Sequence, residues 1–179
     1  DRILCFSYNK RDKKLEDHGI AAHVKPGSGP RHLVFSPNGR YAYLMNELSG
    51  KVIVYSYSDG KLKELQSIAA DNANAHGGAD IHVSPDGMFV YASTRLKGDG
   101  ITIFRVGNKG TLTRVGAQLT GKHPRNFAIT PNGNFLLVTC RDDNSIQVYS
   151  RDKDTGLLKN THQDIVLSHP VCVKFYPEK

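Results

Sequence analysis

One turn sequence recurs through the 179 residues at near-constant spacing, and that recurrence restricts the fold before any single side chain does. Ser36-Pro37-Asn38-Gly39, Ser84-Pro85-Asp86-Gly87 and Thr130-Pro131-Asn132-Gly133 lie 48 and then 46 residues apart. Each follows a short apolar run and precedes an aromatic-rich one. In such a tetrad proline fixes φ and glycine supplies a positive-φ position, so the two flanking runs fold back on each other as a hairpin. A period in this range, built of strands and turns, marks a β-propeller blade or a similar repeat array.

Each repeat reads as four strands. Leu33-Val34-Phe35 enters the first turn and Tyr41-Ala42-Tyr43-Leu44-Met45 returns from it. Lys51 to Tyr57 carries the β-branched and aromatic residues of a third strand, Asp59-Gly60-Lys61 turns, and Leu62 to Ile68 makes a fourth. The second repeat copies this with Ile81-His82-Val83, Phe89 to Ser93, Ile101 to Val106 and Leu112; the third uses Phe127-Ala128-Ile129, Phe135 to Thr139, Ser145 to Tyr149 and Leu157-Leu158.

The ends fit the same frame. Arg2 to Tyr8 and Lys13-Lys14-Leu15 align with the outer two strands of a blade, and Val171 to Phe175 aligns with the inner strand of another. The expected division is an incomplete blade over 1–26, complete blades over 27–70, 71–118 and 119–167, and an inner strand over 168–179. An open stack of blades exposes strand edges and an apolar flank. The chain is therefore expected to be all-β, part of a ring, with its flanks covered by a missing N-terminal half or by a second copy.

Composition narrows the partners. Hydrophobic residues at 39% and charged residues at 23% describe a globular protein, and no apolar run approaches membrane-spanning length. Cys5, Cys140 and Cys172 have no metal-type spacing and cannot all pair, so a reducing, cytoplasmic compartment is expected. The formal charge of +7 suits an anionic partner. Nucleic acid is not expected, because the basic residues are scattered and the aromatics fall at buried strand positions.

The repeated turn also serves as a ruler. Five residues before it lie Arg31, Ala79 and Arg125; four before lie His32, Asp80 and Asn126; eleven after lie Glu47, Arg95 and Arg141. Positions so far on either side of a hairpin turn meet at its opposite end. The inner strand of a blade lines the central channel, so these groups share the channel mouth, where several blades converge. Arginine's planar fork suits such a site to carboxylate or phosphate. Structural readings stand beside this one. Arg31 and Glu47 suit a salt bridge within their hairpin, Asp80 a turn cap or a partner of Arg95, and Arg141 a local pair with Asp142. His82 suits a packed or channel-lining histidine, and His76-Gly77-Gly78 a loop whose glycines let the next strand approach closely.

Gly29-Pro30-Arg31-His32, Asn46-Glu47, Ala79 to Gly87, Tyr91 to Arg95 and Pro124-Arg125-Asn126-Phe127 together resemble the C-terminal half of the bacterial 6-phosphogluconolactonases of seven-bladed propeller type. That family includes the fungal carboxy-muconate cyclases. The resemblance runs through the chain in order. It implies about half of a seven-bladed ring, with three complete blades and two partial ones. It also implies that the intact protein hydrolyses 6-phosphogluconolactone to 6-phosphogluconate, in the pentose phosphate pathway. In the cyclase relatives an arginine and a glutamate spaced as Arg31 and Glu47, a further arginine and a histidine form the proposed active-site set. Arg31 and Glu47 carry over directly; the further arginine is Arg95 or Arg125, and the histidine falls in the absent half.

Lactone opening needs water activated by a base and donors for the oxyanion. Glu47 and His32 compete for the base. A guanidinium beside Glu47 weakens it as a proton acceptor, whereas histidine as a residue type titrates near neutrality, which favours His32 or a histidine outside the chain. Arg31, Arg95 and Arg125, with Asp80 and Asn126, are the expected substrate contacts. A muconate-type cyclisation would use the same arginine funnel. A calcium-dependent lactonase would draw on Glu47, Asp80 and Asn126, but the arginines repel a cation, so neither metal nor cofactor is expected. A propeller scaffold for protein partners would instead show apolar residues on one face and no dense charge at the channel mouth.

Overall fold

The computed structural model of the chain describes residues 1–71, 73 and 76–176. A hairpin comes first, β1 (Arg2–Asn9) with β2 (Lys14–His23). Three antiparallel sheets follow. The first runs β3 (Pro30–Phe35), β4 (Tyr41–Asn46), β5 (Lys51–Ser58), β6 (Lys61–Ala69); the second β7 (Gly78–Val83), β8 (Phe89–Thr94), β9 (Gly100–Val106), β10 (Leu112–Leu119). The third runs β11 (Pro124–Ile129), β12 (Phe135–Cys140), β13 (Ser145–Arg151), β14 (Leu158–Asn160), and β15 (Ile165–Val166) extends it along β13. These are the meander sheets of propeller blades, and their inner strands β3, β7 and β11 are neighbours, with β7 between the other two. Among the described residues no helix is long and apolar enough to cross a membrane.

The recurring tetrads build the same turn three times. Gly39 N–H bonds Ser36 C=O at 2.9 Å, Gly87 bonds Ser84 and Gly133 bonds Thr130 at 2.8 Å, with the glycines at φ 68, 73 and 71°. The hydroxyl at the first position does two jobs. Ser36 Oγ donates to Asn38 Oδ1 at 2.7 Å and accepts the Tyr41 N–H at 3.0 Å; Ser84 with Asp86 and Phe89, and Thr130 with Asn132 and Phe135, repeat the pattern. Side chains thus help fix the hairpin's register within the turn itself.

Period-two alternation sends successive residues of one strand into different cores. Ala42 and Leu44 pack toward the β1–β2 hairpin with Val24, Ile53 and Tyr55. Tyr43 and Met45 pack toward the second sheet with Val52, Val90 and Phe104. On β8 the split repeats, Val90 and Ala92 facing back while Phe89 and Tyr91 face Phe127, Leu136 and Val138 of the third sheet. The first and second sheets are therefore covered on both faces and the third on one, and apolar residues at the two flanks stay open: Leu4, Phe6 and Tyr8 are exposed at one end, Val166, Val171 and Phe175 at the other.

The inner strand expected at Val171–Phe175 is not formed as a strand. A blade's inner strand pairs only with the next strand of its own hairpin, and this segment has no such partner within the chain. It is tied instead by the Val173 N–H to Asn126 Oδ1 at 2.8 Å.

A buried arginine clasps the second and third sheets near their turns. Arg151, with its side chain fully buried, donates to Tyr91 Oη at 2.8 Å, Gly133 C=O at 3.1 Å and Asp86 Oδ2 at 2.7 Å. Asp86 belongs to one repeated turn and Gly133 to the next, so a single guanidinium sets the spacing of two tetrads. Arg151→Met is expected to lower stability by about 1.5–3 kcal/mol, the range for losing hydrogen bonds to a charged group, because the Asp86 left behind is partly exposed. A urea midpoint within error of wild type would show that packing alone holds the sheets together.

Candidate active site

Each inner strand begins with a β-bulge. The β3–β4 ladder pairs Pro30 with Asn46 and His32 with Met45, skipping Arg31. Likewise β11–β12 skips Arg125, and β7–β8 breaks register between Gly78 and Ile81, around Ala79 and Asp80. A bulge inserts one residue and re-aims its side chain, here at the end of the hairpin opposite the turn. Two glycines make room for the convergence. A Cβ on Gly77 would sit 2.4 Å from Arg95 O, and one on Gly78 2.4 Å from Asn46 O, so the close approach expected of this loop is realised.

Glu47 follows β4 and is shared by two guanidinium groups. Arg95 Nη2 lies 2.5 Å from Oε1 and Arg31 Nε 3.4 Å from Oε2. Arg31 and Glu47 therefore pair within their hairpin, while Arg95, 5% exposed, reaches across from the second sheet. Arg31 Nη1 also donates to Ala79 C=O and to His32 Nε2, the latter at 3.2 Å. Burial first, then the neighbouring Arg95, push the Arg31 pKa below its ordinary value.

His32 is oriented from both sides. An arginine can only donate, so Nε2 of His32 accepts and its proton resides on Nδ1, which lies 2.6 Å from Asp80 Oδ1. Asp80, its side chain 4% exposed, also accepts the Ile81 N–H at 2.9 Å, His82 Nε2 at 3.1 Å, Asn126 Nδ2 at 2.5 Å and the Phe127 N–H at 3.2 Å. Burial alone would raise the Asp80 pKa; hydrogen bonds from His32 and His82, the His82 charge and the Phe127 amide outweigh it and hold the carboxyl well below the usual carboxylate range. With five donors, its oxygens face the protein rather than a ligand.

Arg31, His32, Asp80, His82, Arg125 and Asn126 line one cleft of about 560 Å³, closed on one side by Val171, Cys172 and Lys174. Glu47 and Arg95 are outside its lining and connect to it through Arg31. Arg125 has no hydrogen-bond or ion-pair partner among the described residues, so its guanidinium is uncommitted. Arg141 lies apart in a 3₁₀ turn (Arg141–Asp143), paired with Asp142 at 2.6 Å as its sequence neighbours suggested.

Two contributors escaped the sequence ruler. Lys174 comes from the C-terminal segment, which carries no turn to count from. His123, two residues before Arg125, approaches Arg95 Nη1 at 3.1 Å through Nε2; only a folded chain brings these two together.

Residues 1–175 match a family described as Lactonase, 7-bladed beta-propeller. Curated relatives named 6-phosphogluconolactonase include one from Formosa agariphila, 48% identical over 83% of this chain and 43% of its own length, and one from Bacillus subtilis, 35% identical over 95% and 50%. A solved structure from Bacteroides uniformis, provisionally assigned as a 6-phosphogluconolactonase, is 57% identical with TM-score 0.95 over 98% of this chain and 52% of that one. A periplasmic gluconolactonase from Pseudomonas aeruginosa is 31% identical with TM-score 0.90 over 99% and 51%. The chain spans about half the length of the curated relatives it matches.

Because the folded pKa of Asp80 is depressed, its contribution to stability is present above the unfolded carboxylate pKa and fades as pH falls through and below it. Asp80→Asn is expected to lower the urea midpoint at neutral pH and to flatten its decline between about pH 5 and pH 3. Parallel pH profiles for wild type and variant would refute the ionised clamp.

Proposed function

The chain belongs to the family of seven-bladed β-propeller lactonases, and from that premise we propose that it supplies much of the active site of a 6-phosphogluconolactonase, hydrolysing the sugar lactone to 6-phosphogluconate. The observation that carries the reading is the Glu47 carboxylate held between Arg95 and Arg31, the latter lining a cleft that also presents oriented imidazoles and an uncommitted arginine.

In this reading the lactone carbonyl oxygen lies against Arg31. As substrate enters, the Arg31 N–H that His32 Nε2 accepts turns to the developing oxyanion, where a preorganised donor lowers the barrier most. His32 Nε2 is then free to take a proton from the attacking water, and the ionised Asp80 stabilises the imidazolium that forms. Water oxygen bonds to the carbonyl carbon, the ring C–O bond breaks, and His32 returns the proton to the leaving alkoxide. Glu47 holds both arginines in place and orients the water. Asp80 and Asn126 serve the substrate from behind, fixing His32 and the Val173 backbone. Arg125 and Lys174 form the phosphate end of the cleft, since neither Arg31 nor Arg95 is free of Glu47.

The same proposal places the protein in a reducing cytoplasm, supported by three unpaired thiols at Cys5, Cys140 and Cys172. Its apolar flanks are covered by the other half of the ring.

At full length, Glu47→Gln, Arg31→Met and His32→Ala are each expected to lower kcat/KM for 6-phosphogluconolactone by roughly 10²-fold or more. Unchanged turnover in all three would remove this site. Arg125→Ala is expected to raise KM for the phosphorylated lactone while leaving the unphosphorylated lactone unaffected; equal losses on both would place the phosphate elsewhere.

A further inference from the structure

We infer that His123 is the positioning residue for Arg95, its neutral imidazole accepting one guanidinium N–H so that the opposite nitrogen is aimed at Glu47. The activity arm of the test rests on the lactonase reading; the geometry does not.

Arg95 is held at few points. Nη1 meets His123 Nε2 at 3.1 Å, Nη2 meets Glu47 Oε1 at 2.5 Å and Gly78 C=O at 3.4 Å, and the buried Nε has no partner. Without His123 one end of a buried guanidinium would be left unbonded, and its plane free to swing away from Glu47. Arginine only donates, so Nε2 of His123 must accept and Nδ1 must carry the proton. Nδ1 lies 3.4 Å from Asp142 Oδ2, and Asp142 is itself gripped by Arg141 at 2.6 and 3.2 Å. The backbone is bent to allow this. His123 sits at φ 59°, an uncommon conformation for a residue with a side chain and more so before proline, and its C=O accepts the Arg141 N–H at 3.2 Å. The ring is 12% exposed.

The charges facing His123 are Arg95 beyond β8, Arg125 on β11, and Arg141 and Asp142 in the 3₁₀ turn, with Lys122 adjacent in sequence and Glu47 on the far side of Arg95. Burial first, then Arg141, Arg95 and Arg125, lower the imidazole's pKa against the opposing effect of Asp142. The neutral acceptor is thus present above that lowered pKa. As pH falls through it, the acceptor becomes a donor and a cation beside Arg95, and the aim at Glu47 is lost.

The test compares His123→Gln, whose side-chain carbonyl accepts but does not titrate, with His123→Leu, which cannot accept, in the protein at full length. His123→Leu is expected to lower kcat/KM roughly ten-fold, the size set by one lost hydrogen bond to a charged group, and His123→Gln to recover most of that loss. The Gln variant also loses the acid limb that His123 imposes on the pH profile. Imidazole nitrogen NMR of wild type at neutral pH is expected to show Nδ1–H with unprotonated Nε2, shifting on Arg95→Met. Equal losses in the two variants, or an Nε2–H tautomer, would overturn the inference. A wild-type protein that turns over no lactone sinks the lactonase reading alone, and the tautomer with its response to Arg95→Met then decides this one.

Discussion

The buried carboxylate of Asp80 joins three neighbouring blades at their inner strands. It accepts from His32 on β3, from Ile81 and His82 on its own strand, and from Asn126 and Phe127 on β11. A buried charge is tolerated only when its lone pairs are filled, and here the filling groups are the walls of the cleft. The same bonds that make the charge affordable therefore orient both histidines, and they carry on through Asn126 to the backbone of Val173. Stability of the hub and preparation of the site are one interaction.

A second constraint acts farther out. The repeated turns set where each hairpin ends, and Arg151 spans two of them by bonding Asp86 and Gly133 while its guanidinium lies against Phe89 and Tyr91. Spacing at the turns and spacing at the hub are thus fixed by separate buried charges, with three apolar interfaces between them supplying the bulk of the burial. A bulge opens each of the three inner hairpins at the hub end, and others interrupt the outer pairs β1–β2, β5–β6 and β9–β10. At the hub the break in the ladder re-aims side chains toward the cleft.

The chemistry follows from how charge is shared around Glu47. Two guanidinium groups on one carboxylate leave a net positive cluster with limited freedom, which in the proposed reading suits an anionic lactone and the charge that develops as it opens. Arg125 and Lys174, outside that pairing, add positive charge to the cleft, and the proposed reading assigns them to the substrate's phosphate.

Sequence alone determined the repeat, the four-strand reading of each blade and the three turns, because these depend on local conformational preference and on period-two burial, which operate within a few residues. It also placed Arg31, His32, Glu47, Asp80, Arg95, Arg125 and Asn126 at one end of their hairpins, since distance from a turn is a count along the chain. Only the tertiary structure decided which of them touch. It gave Arg95 to Glu47 rather than to Asp80, surrounded Asp80 with donors from three strands, brought His123 behind Arg95, and left Val171–Phe175 unpaired. Those outcomes depend on bulges and on contacts between residues dozens of positions apart, and neither is encoded in the identity or spacing of the residues within any one repeat.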